Sequence, residues 1–227
     1  MRDADQLEVL MVRRRSKSSF MGGTYVFPGG GLEPGDSGPH AVSVLGGDPE
    51  LLPWRAAAVR ELAEEVGIWL TNDEVPPEAV DAEDPWQILA RNGVSIDADS
   101  LVYFSNWVTP PQLTIRFDAR FFAAEALSGS VAVADESEVF DATWITPRAA
   151  LDRHDAEEWE VPIPTRAQLE VFAKHERVES VLQELRTMES VPRIEPNIGV
   201  DPAGGTTVLL PGDAGVPLDR SIEGSGH

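Results

Sequence analysis

The chain predicts an α/β domain, and three observations carry that expectation. Short apolar runs, Leu7 to Val12 and Thr24 to Phe27, have the length and make-up of strands. A glycine-rich loop follows them and leads into a helical segment that ends at Gly67. Further strands at 101–109 and 114–124, and helices towards the C-terminus, repeat the mixture. At 227 residues with 42% hydrophobic content the chain can bury a sizeable core, and one domain is expected rather than two. Its bounds are read as 1–190, followed by a Pro/Gly-rich extension over 191–227.

The elements follow in order. Leu7 to Val12 runs into Arg13-Arg14-Arg15-Ser16-Lys17, which is either a solubilising strand end or a contact for substrate phosphate, with Arg14 the residue assigned to it. After Thr24 to Phe27 comes Phe27-Pro28-Gly29-Gly30-Gly31-Leu32-Glu33-Pro34-Gly35-Asp36, whose glycines permit close backbone approach to a ligand or metal. Residues 37–52 are rich in turn formers and read as a surface loop that carries no chemistry. The next helix begins near Pro53-Trp54, with Gly67 as its C-cap and Val59, Leu62 and Val66 as its buried stripe. Residues 71–100 form an acidic connector, within which Asp84 caps a helix over Pro85 to Arg91. Beyond the two central strands lies Asp135-Glu136-Ser137-Glu138, then a strand ending in Trp144. Thr165 to Ala173, capped by Thr165, and Glu179 to Met188 read as packing helices. Thr206 to Leu210 forms a short strand, and the last ten or so residues are expected to be loose.

The helix ending at Gly67 carries the chemistry. Glu61, Glu64 and Glu65 stand at i, i+3 and i+4, so three carboxylates share one face. Like charges at that spacing repel unless a cation sits between them, and Arg60 relieves only part of the repulsion. Hard oxygen donors of this kind suit Mg²⁺ or Mn²⁺. The competing explanation is a solvated acidic face on an acidic protein. His40, His154, His175 and His227 show no ligand spacing.

Together, loop and helix resemble the Nudix box, G-x5-E-x7-R-E-U-x-E-E-x-G-U with U aliphatic. Gly30 supplies the first glycine, and Arg60, Glu61, Leu62, Glu64, Glu65, Gly67 and Ile68 match the second half. Two departures stand out: Asp36 occupies the position of the first glutamate, and the spacer from Ser37 to Val59 is 23 residues. An interrupted box is similar to that of the acyl-coenzyme A diphosphatase branch of the family. Phe20 to Gly30 resembles that branch's lead-in, and Trp107-Val108-Thr109-Pro110 with Arg116 to Phe122 resembles a later segment. The resemblance implies a Nudix α/β/α sandwich around a mixed β-sheet. It implies a metal-dependent hydrolase of phosphoanhydrides in nucleoside diphosphates linked to another group, coenzyme A or its esters being the leading substrate. It assigns metal binding to Glu61, Glu64, Glu65 and Gly30, catalysis to those glutamates with Arg60, and a proton-taking role to Glu138, with Glu136 next. Substrate contacts are expected from Arg14, Arg116, Arg120 and the backbone of Gly29, Gly30 and Gly31. Arg116 and Arg120 lie four apart on an expected strand and would share one face. The alternative is a catalytically inactive Nudix-fold module that binds nucleotide or regulates. In related sequences an apolar strand precedes the segment matching Leu7 to Val12. Here Met1 falls where the connecting turn would be, so that strand is expected to be missing, or the reading frame to begin upstream.

Composition narrows the partners. A net charge of −21 disfavours sequence-independent nucleic-acid binding. No apolar run approaches the ~20 residues that span a bilayer. The absence of cysteine excludes disulfides and thiolate zinc sites and fits a cytoplasmic protein. The expected partner is a small nucleotide or coenzyme A substrate, and a homodimer is compatible with these features.

Overall fold

The computed structural model describes residues 1–15, 23–80, 82–200 and 206–210. Ser16 and Lys17 of the basic run, Phe20 to Gly22 of the lead-in, and the tail with His227 lie outside the described residues. Two compact units divide the chain: Met1–Leu101 with Ala124–Leu182, and Val102–Ala123 with Gln183–His227.

The first unit is built around β2 (Leu7–Arg14), which runs two residues beyond the apolar run read from sequence. Leu7, Val9, Leu10, Met11 and Val12 are all buried, so both faces of this strand are covered, as its apolar run Val9 to Val12 requires. β1 (Arg2–Asp3) pairs antiparallel with its start, so residues expected in a turn form a short strand. β3 (Tyr25–Val26) and β6 (Val139–Ile145) pair antiparallel along its two edges. Leu10, Val12 and Val139 pack with Val66 and Ile68 at the C-terminal end of α2 (Leu52–Val66). Gly67 ends α2 in the left-handed conformation, φ 71°, and its N–H caps the Ala63 carbonyl.

The 37–52 segment is not a plain surface loop. Pro39–Leu45 forms a helix, α1, which packs against α2 and α3 (Pro85–Arg91). Ala41, Val44 and Leu45 are buried there. Proline at its first turn and Gly46 beyond its end, φ 59°, delimit it. The segment's turn formers are thus helix punctuation around a short apolar face. Replacing 37–52 by a seven-residue spacer is therefore expected to destabilise the protein. At about 1.5–3 kcal/mol for each large buried side chain, losing Val44, Leu45 and Leu52 removes roughly 5 kcal/mol. A shortened protein with an unchanged melting temperature would show that α1 is dispensable.

Two other helices differ from expectation. α4 (Pro147–Asp155) was not read from sequence, although Thr146 caps it through the Ala149 N–H and Pro147 occupies its first turn. α5 (Ile163–Phe172) starts two residues early, so Thr165 is a buried helical residue rather than the cap. α6 (Val178–Arg186) falls within the expected span apart from its first residue.

The second unit contains β4 (Val102–Val108) between β5 (Asp118–Ala123) and β7 (Arg193–Ile194). The β4–β5 pairing is antiparallel and the β4–β7 pairing parallel, so the sheet is mixed. β5 begins at Asp118, not at 114, because Pro110 and Pro111 carry no N–H to continue the ladder. β8 (Asn197–Val200) and β9 (Thr206–Leu209) form an antiparallel pair close to the strand expected at 206–210.

Candidate active site

The site gathers in the first unit. α2 carries Glu61, Glu64 and Glu65 on one side, yet that side is not a solvated acidic face: Glu61 is 9% and Glu65 3% exposed. Gly29 donates its N–H to Glu65 Oε2 at 3.0 Å. A Cβ at Gly30 would run into the Glu61 carboxylate, so any larger residue there would push that carboxylate aside.

Arg60 ties helix and loop together, and its side chain is 2% exposed. Its Nη1 donates to Glu61 Oε1 at 2.8 Å and to Glu64 Oε2 at 2.9 Å. Its Nε and Nη2 donate to the two oxygens of Asp36 at 3.1 and 3.0 Å. Nη2 also donates to the Gly31 carbonyl at 2.7 Å. Asp36, at the position of the box's first glutamate, is fully buried. It also accepts the Glu33 N–H at 2.8 Å and the Trp86 indole N–H at 3.0 Å. Sequence reasoning missed Trp86; the signal was one tryptophan just after a helix start in an otherwise acidic connector.

A cavity of about 320 Å³ opens beside the helix, lined by Glu61, Glu64, Glu65, Val80, Asp135, Ser137 and Glu138. Glu138 therefore joins the three glutamates, whereas Glu136 is not part of the lining. The loop is held in place by its own bonds. The Asp135 N–H donates to the Glu65 carbonyl, and the Asp135 carboxylate accepts the N–H groups of Ser137, Glu138 and Val139. Arg15 donates its backbone N–H to the Glu138 carbonyl and its side chain to the Glu136 carbonyl.

Electrostatics follow from this crowding. Burial pushes the Glu65 carboxyl up to about 8, the Gly29 N–H opposes it, and the Glu61 charge adds to it. Burial also raises Glu61 and Glu64, partly offset by Arg60. For Arg60 burial favours the neutral form, but the bonds from Asp36 and Glu61 outweigh it, so the guanidinium stays charged. The Arg14 charge also opposes the rise of Glu65, although Arg14 does not line the cavity.

Arg116 and Arg120 belong to the second unit. Arg116 precedes β5, so the argument that both point from one strand face fails for it. Its guanidinium instead bonds Glu195 at 2.6 Å. Arg120 lies on β5 with its guanidinium carbon 5.9 Å from the Tyr103 ring centroid. His40 Nδ1 lies 3.3 Å from Asp84 Oδ2, and His154 and His175 contact Trp159 and Ser180.

The donor set suits a hard divalent cation: three carboxylates, those of Glu61 and Glu65 largely buried, facing a cavity next to the loop whose Gly30 lies against Glu61. As placed, no three His, Cys, Asp or Glu groups among the described residues converge as ligands, and Arg60 bonds Glu61 and Glu64.

The sequence matches no protein-family model. It is 28% identical over 165 residues to a Caenorhabditis elegans protein named nudix hydrolase 7, which covers 69% of this chain and 52% of that protein. The chain thus spans about half the length of that relative. The fold matches the crystal structure of a Nudix hydrolase from Alicyclobacillus acidocaldarius with a TM-score of 0.72 and 27% identity, over 80% of this chain and 91% of that one. With the box residues gathered on α2 and the glycine loop, these likenesses support an α/β fold of the Nudix type and a resemblance to the Nudix hydrolase family. Within it, the chain resembles acyl-coenzyme A diphosphatase NUDT19 of Xenopus laevis, at 25% identity over 96% of this chain and 73% of that protein. No helix among the described residues is long and apolar enough to cross a membrane.

Proposed function

We propose that the chain hydrolyses the phosphoanhydride of a nucleoside diphosphate linked to another group, with Mg²⁺ or Mn²⁺, and that coenzyme A or its esters are the preferred substrates. The observation that carries this reading is the buried glutamate face. Burying Glu65 and Glu61 beside Glu64 raises all three carboxyls, which a cation would hold ionised. A divalent cation there would neutralise phosphate charge and lower the pKa of bound water.

This chain's residues supply the rest. Glu61, Glu64 and Glu65 would hold the cation, and the box resemblance adds Gly30 to them. Arg60 orients Glu61 and Glu64 through Nη1. Glu138, facing the same cavity, takes the proton from the attacking water. Arg14 offers a positive charge beside Glu65 for a phosphate oxygen. The backbone of Gly29 to Gly31 leaves space for close approach. Arg116 is engaged by Glu195, and Arg120 lies against the Tyr103 ring, so the geometry of the glutamate site carries no role for either. The coenzyme A preference rests on the likeness to NUDT19 and the interrupted box.

A panel of coenzyme A, acyl-coenzyme A, ADP-ribose and dinucleoside polyphosphates, each with Mg²⁺ and with Mn²⁺, tests both parts. The expected result is metal-dependent turnover, highest in kcat/KM for a coenzyme A compound. A tenfold advantage for ADP-ribose or a dinucleoside polyphosphate, about 1.4 kcal/mol, overturns the substrate and leaves the reaction. No turnover of any member with either metal overturns the reaction.

A further inference from the structure

Asp36 is one methylene shorter than the glutamate the box pattern expects, and it is fully buried. A buried carboxylate stays ionised and oriented only if donors surround it. Arg60 supplies two of those donors and the Glu33 backbone a third. The remaining one comes from outside the box: the Trp86 indole Nε1–H, 50 residues away, donates to Oδ1 at 3.0 Å. Arg60 Nε donates to that same oxygen at 3.1 Å. The indole and the guanidinium therefore share one acceptor atom, so the angle of the Asp36 carboxylate is set from both sides.

Trp86 is itself firmly placed. Its ring has no solvent exposure and packs edge-on to Trp69, at 6.5 Å between centroids. It follows Pro85 in the first turn of α3, where the Asp84 side chain accepts the Gln87 N–H. α1, from the segment that interrupts the box, packs against α3.

We infer that Trp86 is a positioning residue for the glutamates, acting through Asp36 and Arg60, and that α1 and α3 supply the support that a short box spacer would otherwise give. The inference rests on the hydrolase reading above. The link is physical at each step. The indole orients the Asp36 carboxylate, and the carboxylate holds two guanidinium nitrogens in a fork. The rigid plane of the guanidinium then fixes Nη1 between Glu61 and Glu64. Had Trp86 only filled space, its ring would matter and its N–H would not.

Trp86→Phe keeps an aromatic ring and removes the N–H. Leu89→Ala on the same helix removes an equally buried side chain that has no polar atom to offer Asp36. Trp86→Phe is expected to lower kcat and weaken Mn²⁺ binding, read by electron paramagnetic resonance, by roughly tenfold each, with KM little changed. Leu89→Ala, compared below its own melting transition, is expected to lose thermal stability and keep both kcat and Mn²⁺ affinity. In the metal-free protein the Trp86 indole ¹H–¹⁵N resonance, assigned by its loss in Trp86→Phe, is expected to exchange slowly and to move in Arg60→Lys, which alters the other donor on Oδ1. Trp86→Phe with parental kcat and Mn²⁺ affinity, or an indole resonance indifferent to Arg60→Lys, overturns the inference. A parent protein that hydrolyses nothing brings down the hydrolase reading alone, because Mn²⁺ affinity and the indole resonance still decide the role of Trp86.

Discussion

Glu65→Gln is expected to cut turnover by about a hundredfold or more, a rise of roughly 2.7 kcal/mol in the barrier, while making the metal-free protein more stable. Both effects have one origin. In the folded protein burial raises the Glu65 carboxyl from 4.5 to about 8. Below the ordinary value both folded and unfolded chains hold the proton, and nothing is lost. As pH climbs through the window between 4.5 and about 8 the unfolded chain releases a proton that the folded chain retains, so folding stability falls. Above that window the folded protein carries the full penalty of a buried, crowded carboxylate. Glutamine keeps the shape and the acceptor for the Gly29 N–H but has no charge to desolvate. The melting temperature of the metal-free parent should therefore drop between pH 5 and pH 8.5, and the drop should shrink in Glu65→Gln. Glu61 and Glu64, also raised, keep it from vanishing. Saturating Mg²⁺ should lift the parent and leave Glu65→Gln largely unmoved, since a ligand stabilises only the state that binds it. Near-parental rates in both Glu64→Gln and Glu65→Gln would mean that the site assignment is wrong.

Arg60→Leu is expected to destabilise the protein by about 3–5 kcal/mol, the usual consequence of leaving buried charges without their partner. Asp36 and Glu61 would lose the cation that neutralises them, and the Gly31 carbonyl its side-chain donor. At roughly 2–4 °C per kcal/mol for a chain of this size, the melting temperature should fall by about 10 °C. Arg60→Lys should fall between parent and Arg60→Leu. An ammonium keeps the charge but cannot reach both Asp36 oxygens, Glu61 and Glu64 as one planar fork does. Urea titration measures the difference directly. An Arg60→Leu protein as stable as the parent would show that the guanidinium is not what keeps the Asp36 carboxylate buried.

Much of the fold and part of the site were legible because they depend on near neighbours in the chain. Helical periodicity puts Glu61, Glu64 and Glu65 on one side of α2 whatever surrounds them, and Gly67 stops that helix because it tolerates a φ of 71°. The apolar run of β2 and the cap of α3 at Asp84 were likewise local signals. Where local signals were misread, they were still present. Thr146-Pro147 opens α4, and Pro39 with Gly46 brackets α1. At Arg116 two prolines end the ladder before the strand reaches it.

The sequence alone determined which residues carry carboxylates, their common face, and a glycine loop able to approach them, since each follows from bond geometry over a few residues. Only the tertiary structure decided that the face is buried rather than solvated, which raises Glu65 to about 8. It also decided that Asp36 finds Arg60 across 24 residues and Trp86 across 50, and that the 135–138 loop closes on the same cavity. Burial and pairing depend on which distant segments meet, and side-chain periodicity holds no record of that.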